Sequence, residues 1–156
     1  MKIMSGGQTG VDRAALDAAA SLSIPSWGWC PKGRLAEDGL VPSSYGLQET
    51  PTESYSERTQ WNVRDSDGHL VLTWGDPQEG TKVGVDYAVL TNKPLYIVNM
   101  EQISEDEFHN VHEWLRVNSI STLCIGGPRE SLRPGVVYRE SYSFLIKLLG
   151  YVVIID

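Results

Sequence analysis

Residues 2–22 have the sequence KIMSGGQTGVDRAALDAAASL, in which a short apolar segment, a glycine-rich turn and a periodic segment follow one another. From Val11 to Leu22 the apolar side chains recur at i, i+3, i+4, i+7, i+8 and i+11, which is the period of a helix with one apolar face. Four side chains of that face are alanines, so the helix can pack closely against a sheet. The segment predicts a strand over residues 2–5, a tight turn, and a helix over residues 11–21.

The turn has the composition of a phosphate-binding loop. Gly6, Gly7 and Gly10 allow the backbone to turn sharply and to approach a ligand closely. The helix that follows directs free N–H groups and the positive end of its dipole toward the same place. The loop matches neither GxGxxG nor GxxxxGK[ST], and a strand-to-helix turn without a ligand is the alternative interpretation. Polar side chains crowd the start of the helix and favour a ligand, namely Gln8, Thr9, Asp12 and Arg13.

The composition limits the class of protein. The 156 residues suit one domain over residues 1–156, and 41% hydrophobic and 21% charged residues are ordinary for a globular chain. A net charge of −7 argues against a general nucleic-acid binder, so an anionic ligand must be held by local positive charge. We expect no membrane span and no signal peptide. Cys30 and Cys124 match no metal or redox spacing, which predicts free thiols in the cytoplasm.

Further strands and helices alternate along the rest of the chain. Strands are predicted at residues 26–30, 69–74, 94–98, 122–125 and, at the end, 151–155. Helices are predicted at residues 55–63 (within a long polar stretch, 32–67), 80–92, after an N-cap at Ser104 that forms a capping box with Glu107, and at 137–149. This alternation predicts an α/β protein with a mostly parallel sheet and helices on both faces, a three-layer αβα arrangement.

Four polar loops are expected to meet at one edge of that sheet, because ligands bind outside the carboxyl ends of parallel strands. The loops are GGQTGVDR (6–13), CPKGRLAEDG (30–39), WGDPQEGT (74–81) and GGPRESLRPG (126–135). Their basic side chains could neutralise a phosphate, with solvated surface charges as the alternative; they are Arg13, Lys32, Arg34, Arg129 and Arg133. Glu130 could orient Arg129 or act as a base, and we favour orientation; Trp74 could stack on the ring of a ligand.

Other groups with possible chemistry have simpler interpretations. Asp65 and Asp67 could bind a metal or supply a base, but Asp-Ser-Asp-Gly is turn chemistry, which we favour. Cys30 could bind a metal through its thiolate, but a small buried apolar residue is the favoured role. His109 and His112 lack a third ligand at suitable spacing. We therefore expect no metal site and assign no catalytic residue.

Four segments in order along the chain resemble one known family: SGGQTGVDRAALDAA (5–19), GWCPKGRLAEDG (28–39), RTQWNVRDSDGHL (58–70) and GGPRES (126–131). They are similar to the molybdenum cofactor carrier family of the SLOG superfamily. The resemblance implies a Rossmann-like fold, a molybdopterin-type ligand and a homo-oligomer, a dimer or tetramer. The chain departs from the family at Glu79, where glycine is usual, and at Cys124–Gly126, where asparagine and alanine are common.

The resemblance favours binding, storage or carriage of molybdenum cofactor without chemistry, with molybdoenzymes as further partners. The first alternative is a LONELY GUY-like nucleoside monophosphate phosphoribohydrolase, but the chain lacks the PGGxGTxxE motif that supplies the catalytic glutamate of those enzymes. The second is a nucleotide-sensing SLOG module. The residues expected to bind the phosphorylated ligand are Gly6, Gly7, Gln8, Thr9, Gly10, Asp12, Arg13, Lys32, Arg34, Trp74, Gly80, Thr81, Gly127, Pro128, Arg129, Glu130 and Ser131.

Overall fold

The computed structural model describes residues 1–155. Its strands are β1 (Lys2–Met4), β2 (Ser26–Trp27), β3 (Trp29–Cys30), β4 (Leu35–Ala36), β5 (Gly39–Leu40), β6 (Gln48–Glu49), β7 (Gly68–Thr73), β8 (Leu95–Asn99) and β9 (Thr122–Gly126). Its α-helices are α1 (Val11–Ser21), α2 (Tyr55–Arg64), α3 (Glu79–Leu90), α4 (Glu107–Val117) and α5 (Val137–Ile155). Short 3-10 helices lie at Lys32–Arg34 and Glu130–Leu132.

Five of the strands form a parallel central sheet in the order β2-β1-β9-β7-β8. Helices α1, α4 and α5 cover one face of the sheet, and α2 and α3 cover the other. The pairs β3–β6 and β4–β5 form two small separate sheets. This arrangement confirms the predicted three-layer α/β fold with a mostly parallel sheet.

The two faces of the sheet bury different amounts of apolar surface. The larger core lies under α1, α4 and α5, where the alanine face of α1 lets α5 approach closely. All six residues of β7 are buried, as expected of a central strand covered on both faces. The core under α2 and α3 is smaller and centres on Met4, Val63, Ala88 and Cys124. A cleft therefore has room to enter on the α2–α3 side.

The strand order is a circular permutation of a common doubly wound sheet. Numbered along the chain, the five strands of the central sheet have the order 2-1-5-3-4. If the last strand is counted first, the order becomes 3-2-1-4-5, the arrangement of Rossmann-type dinucleotide-binding proteins. In that arrangement there is one place where two neighbouring strands lead to helices on opposite faces of the sheet, which is the topological switch point. Here that place lies between β9, which leads to α5, and β7, which leads to α3.

Most of the predicted elements are confirmed within one or two residues, but the end of the chain is not. The predicted strand over residues 151–155 is wrong, because α5 continues through Gly150 to Ile155. Val152 is buried in the main core on the same face as Leu145 and Leu149, so tertiary packing extends the helix through a run of β-branched residues. Within residues 1–155, no helix is both long enough and apolar enough to cross a membrane.

Two further predictions of local structure differ from the structure. The predicted strand over residues 26–30 is divided at Gly28, where a Cβ would overlap the carbonyl oxygen of Ser5, and β3 leaves the central sheet to pair with β6. Helix α4 begins at Glu107 and not directly after Ser104. Only half of the expected capping box forms there: the Ser104 N–H donates to Glu107 Oε2 at 3.3 Å, while the serine hydroxyl donates to the same carboxylate.

Candidate functional site

A cleft lies at the switch point. One wall is the loop that follows β9, and the other is the loop that follows β7 together with the start of α3. Below the mouth, the cleft extends between the sheet and the helices α2 and α3. This is the place where doubly wound sheets bind ligands. Three of the four loops that were predicted to meet here line the cleft, and the loop of residues 30–39 does not.

Gly127 allows the loop after β9 to reach the cleft. A Cβ at this position would lie 2.5 Å from the carbonyl oxygen of Leu72 and 2.5 Å from Cγ2 of Val11. Any larger residue would therefore push the loop away from β7 and α1. The glycine brings the backbone of residues 126–129 to the wall of the cleft, where a ligand can approach main-chain groups.

The N-terminus of α3 opens into the cleft. Residues Gln78, Glu79, Gly80 and Thr81 line it, and the Gln78 side chain makes no capping hydrogen bond. The first N–H groups of a helix and its dipole attract anions, so this end of α3 is suited to a phosphate. Gly80 adds no side chain that would obstruct the approach, since a Cβ there would meet nothing within 4 Å.

The N-terminus of α1, by contrast, is filled by groups of the chain itself. The Gln8 N–H donates to Asp12 Oδ2 at 3.2 Å, and the Val11 N–H donates to the carbonyl oxygen of Pro128 at 3.2 Å. The Thr9 N–H donates to the side chain of Gln8 at 3.0 Å. The predicted phosphate loop is therefore largely satisfied by internal hydrogen bonds.

Asp12 also forms a buried ion pair with Arg58 of α2. Arg58 Nη1 lies 2.8 Å from Asp12 Oδ2, and less than a tenth of either side chain is exposed. Burial raises the pKa of the Asp12 carboxyl, and the Arg58 guanidinium opposes that rise. Gly6 is required for this pair, because a Cβ there would overlap the guanidinium. The pair joins the loop after β1 to α2 at the wall of the cleft.

His69 lies deeper, on the α2–α3 side of β7. Its Nδ1 is 3.3 Å from the carbonyl oxygen of Cys124, and its Nε2 faces Gly84 of α3. Burial lowers the pKa of His69 to about 4, so the ring is neutral near pH 7. The sequence-based prediction of the site did not include Arg58 or His69. Both lie in the segment 58–70, which resembles the family but was not assigned to the site.

Arg129 spans the mouth of the cleft. Its Nη2 donates to Glu79 Oε2 at 2.8 Å, and its Nε lies 3.6 Å from Glu37 Oε2. The pair with Glu79 joins the loop after β9 to the start of α3, across the switch point. Glu79 stands at the position that departs from the family pattern. Its carboxylate pairs with Arg129, the arginine that was expected to bind an anion.

Several predicted ligand residues connect the loops to one another. Glu37, in the turn between β4 and β5, accepts hydrogen bonds from the hydroxyls of Thr9 and Ser131 and from the Ser131 N–H. Arg13 binds Asp38 of the same turn with two hydrogen bonds of 2.6 and 2.8 Å. The bond to Arg13 lowers the pKa of Asp38. Burial acts to raise the pKa of Glu37, but its hydrogen bonds together lower it.

The remaining predicted residues also have structural roles. Arg34 donates to the carbonyl oxygens of Val41, Pro42, Tyr45 and Leu47, which holds the loop after β5. Glu130 was expected to orient Arg129, but its carboxylate accepts from the N–H groups of Gly135 (2.8 Å) and Tyr138 (2.7 Å) at the start of α5. The hydrogen-bonding needs of that helix end decide its position. The Lys32 side chain is exposed and lies outside the cleft.

Nine of the seventeen predicted residues thus line the cleft, namely Gly6, Gln8, Asp12, Trp74, Gly80, Thr81, Gly127, Pro128 and Arg129. Eight do not, namely Gly7, Thr9, Gly10, Arg13, Lys32, Arg34, Glu130 and Ser131. Lining residues that the prediction missed include Tyr55, Arg58, Thr59, Asn62, His69 and Gly84. Most of these lie on α2 and α3, whose place beside the switch point depends on tertiary structure.

The acidic residues outside the cleft, and Cys30, are used by the fold. Asp65 accepts from Trp29 Nε1 at 2.8 Å and from Arg64, while Asp67 accepts from Ser121 and Thr122 at the start of β9. Burial raises the pKa of the Cys30 thiol. Among residues 1–155, no three His, Cys, Asp or Glu side chains come together as a metal site would require.

Comparison with known proteins agrees with this topology. A search of curated proteins found no match. A crystal structure described as a putative molybdenum carrier protein from Syntrophus aciditrophicus SB is 43% identical, covers 97% of this chain and 94% of its own, and superposes with a TM-score of 0.89. The model of the circularly permutated YpsA SLOG family matches residues 3–149. The chain belongs to the circularly permutated YpsA SLOG family.

Proposed function

We propose that the protein binds and carries a small phosphorylated ligand of the molybdopterin type in the switch-point cleft, without transforming it. The single observation that carries this proposal is the cleft itself, where the open N-terminus of α3 faces the glycine loop that follows β9. The similarity to a protein described as a putative molybdenum carrier supports the choice of ligand.

The phosphate end of the ligand is proposed to lie at the mouth. Gly80, Thr81, Gly127 and Pro128 all line the cleft there, so the backbone of both loops can approach an anion. Arg129 supplies positive charge once it exchanges its bond to Glu79 for one to the phosphate. Arginine–phosphate pairs are stronger than exposed carboxylate pairs when they are partly desolvated, so this exchange favours the bound state.

Trp74 is proposed to contact the ligand at the mouth of the cleft. It lines the cleft at the carboxyl end of β7, and only 8% of the residue is exposed. Its Nε1 donates to Glu140 Oε2 at 3.1 Å, which fixes the orientation of the indole. A fixed aromatic side chain contributes contact area at little cost in conformational entropy.

A carrier role is supported by the use of Asp12, a buried acidic group of the cleft, which is held in its ion pair with Arg58. The alternative of a nucleotide-processing enzyme requires Asp12, Glu79 or Asp76 to act on a bound nucleotide. Incubation with nucleoside monophosphates decides between the two: the carrier proposal expects no release of free base, and release that disappears in Glu79→Gln would favour the enzyme.

The central experiment is anaerobic titration of the purified protein with molybdopterin, followed through tryptophan fluorescence and calorimetry. We expect saturable binding that Arg129→Ala weakens. Arg133→Ala is the matched control, because Arg133 lies in the same loop but pairs with Glu101 and does not line the cleft. Competition with GMP and AMP tests the ligand class, since a clear preference for a nucleotide would end the molybdopterin proposal and favour nucleotide sensing.

We further propose that the protein forms a homo-oligomer in the cytoplasm and delivers its ligand to molybdoenzymes. The edge strand β8 with exposed Ile97, and the exposed Val89 and Leu90 at the end of α3, support a contact between copies. The free, buried thiols of Cys30 and Cys124 are in keeping with a reducing compartment. Light scattering of wild type and Leu90→Arg tests the oligomer: unchanged mass in the variant would remove this contact.

A further inference from the structure

The deep end of the cleft contains polar groups that the proposed phosphate site does not use. It lies between the sheet and the helices α2 and α3, and its lining includes Arg58, Thr59, His69, Gly84 and Cys124. Gly84 lets the backbone of α3 pack against His69, because a Cβ there would lie 2.9 Å from Nε2. The deep end thus places a histidine nitrogen at a closely packed boundary.

His69 presents a hydrogen-bond acceptor to this space. The Cys124 carbonyl oxygen can only accept, so Nδ1, at 3.3 Å, carries the ring proton and donates it. The ring is neutral near pH 7, and Nε2 is therefore the unprotonated nitrogen. Within residues 1–155, Nε2 has no hydrogen-bond partner.

Arg58, on the wall of the same cleft, does not compete for this role. Its Nη1 is bound to Asp12, and its Nε has no partner within residues 1–155 but is buried. His69 Nε2 is therefore the group of the deep end on which the recognition of a ligand depends.

Asn62 limits which ligands fit, because its hydrogen bonds are already made. Its Oδ1 accepts from the Trp29 N–H at 2.9 Å, and its Nδ2 donates to the carbonyl oxygens of Trp29 and Arg58. A sugar would bring several hydroxyls to a space with few free partners, and buried hydroxyls without partners are unfavourable. A flat heterocycle with a donor on one edge suits His69 Nε2 better.

We infer that the deep end binds the ring of a nitrogen heterocycle, whose N–H or amino group donates to His69 Nε2. The inference rests on the proposed function and fixes the orientation of the ligand. The ring lies beneath α2 and α3, and the phosphate remains at the mouth beside Gly80 and Thr81. His69 is then the residue that distinguishes ring-bearing ligands from other phosphates.

The test compares ring-bearing probes, namely molybdopterin, GMP and AMP, with ribose 5-phosphate, which has no ring. We expect His69→Leu to weaken the tightest ring-bearing probe roughly 10- to 100-fold, the cost of an unmade buried hydrogen bond. Ribose 5-phosphate should bind both proteins equally, and His69→Gln, which keeps an acceptor oxygen, should recover part of the affinity. His109→Leu, an exposed histidine outside the cleft, is the matched control.

A second measurement uses the wild-type protein and so does not depend on how a variant folds. With ¹⁵N-labelled histidine, the Nε2 resonance of His69 should move when a ring-bearing probe is added, and should not move with ribose 5-phosphate. Binding with an unmoved Nε2 resonance, or equal affinity of His69→Leu and wild type, would overturn the inference, as would the failure of every ring-bearing probe to bind. If GMP or AMP binds through His69 and molybdopterin does not bind, the molybdopterin proposal fails and this inference stands.

Discussion

Helices α1 and α3 both begin at the carboxyl edge of the sheet, yet they use their N-termini differently. At α1 the donors are taken by the chain itself, through Asp12 and the Pro128 carbonyl. At α3 no side chain caps the first turn, and the helix end opens into the cleft. A glycine-rich loop before a helix is therefore an anion site only where its donors are free, and the conspicuous loop after β1 is the one already filled.

The largest expected effect comes from removing the Asp12 carboxylate, which accepts from the Gln8 N–H at the start of α1. Asp12→Ala leaves the Arg58 guanidinium buried without its partner, so we expect a loss of about 3–5 kcal/mol in the free energy of unfolding. Urea denaturation measures the loss. Asp38→Ala is the matched control, because its partner Arg13 is also an arginine but the carboxylate is 47% exposed, and we expect about 1 kcal/mol or less. Equal losses in the two variants would contradict a dominant role for the buried pair.

Acid should act on the two regions in different pH ranges. The pKa of His69, beneath α2 and α3, is lowered from 6.5 to about 4. Between pH 4 and pH 6.5 the histidine is therefore protonated in the unfolded chain and neutral in the folded chain. Stability is then complete above pH 6.5 and falls as the pH drops toward 4, by about 3 kcal/mol. The free energy of unfolding, measured between pH 6.5 and 4, should show this fall in wild type and not in His69→Gln.

The α1 side should respond at lower pH. The pKa values of Glu37 and Asp38 are lowered from 4.5 and 3.8, so their contribution is complete above those values and is lost as the pH falls below them. The free energy of unfolding is measured below pH 4.5 in wild type and in the double variant Glu37→Gln and Asp38→Asn. If both proteins lose the same stability there, the bonds between these loops do not contribute to stability.

Arg129 tests the open region through the ligand. Arg129→Ala should weaken an anionic ligand by about 1.5–3 kcal/mol, the range of a charge-assisted hydrogen bond. Because Glu79 is its partner in the free protein, Glu79→Gln should instead strengthen binding. Calorimetry of both variants measures the two changes, and weaker binding by Glu79→Gln would contradict a competition between Glu79 and the ligand.

The smallest expected effect comes from making α3 resemble α1. Gln78→Asp places a carboxylate at the N-cap of α3, where it can accept from the first N–H groups. We expect about 1 kcal/mol of added stability together with weaker binding of the phosphorylated ligand, because the new carboxylate occupies the anion site. Gln78→Ala is the control for loss of the glutamine side chain. Undiminished binding by Gln78→Asp would place the phosphate elsewhere.

The sequence was sufficient for the elements but not for the arrangement of the site. The period of α1 and the apolar runs of β7 and β9 determine their structure locally, so their predicted positions agree with the structure. The position of the switch point depends on β9 inserting between β1 and β7, which no local pattern indicates. Arg13 was predicted to bind phosphate because the sequence did not show which residue its charge pairs with. Its partner in the structure, Asp38, lies 25 residues away.

Burial explains the residues that were missed. Arg58 is charged and α2 has little apolar periodicity, so nothing local indicates that its side chain is buried against Gly6 and Asp12. His69 lies in an otherwise apolar strand, where its polarity becomes relevant only through the carbonyl of Cys124 and the absence of a side chain at Gly84. Each depends on contacts between segments distant in sequence.

The most direct test of the account is a crystal structure of the protein with bound molybdopterin. The account predicts that the phosphate lies within hydrogen-bond distance of the N–H groups of Gly80 or Thr81, beside Gly127, with Arg129 turned from Glu79 toward it. A phosphate bound instead to the backbone of residues 6–10, with the N-terminus of α3 empty, would contradict it.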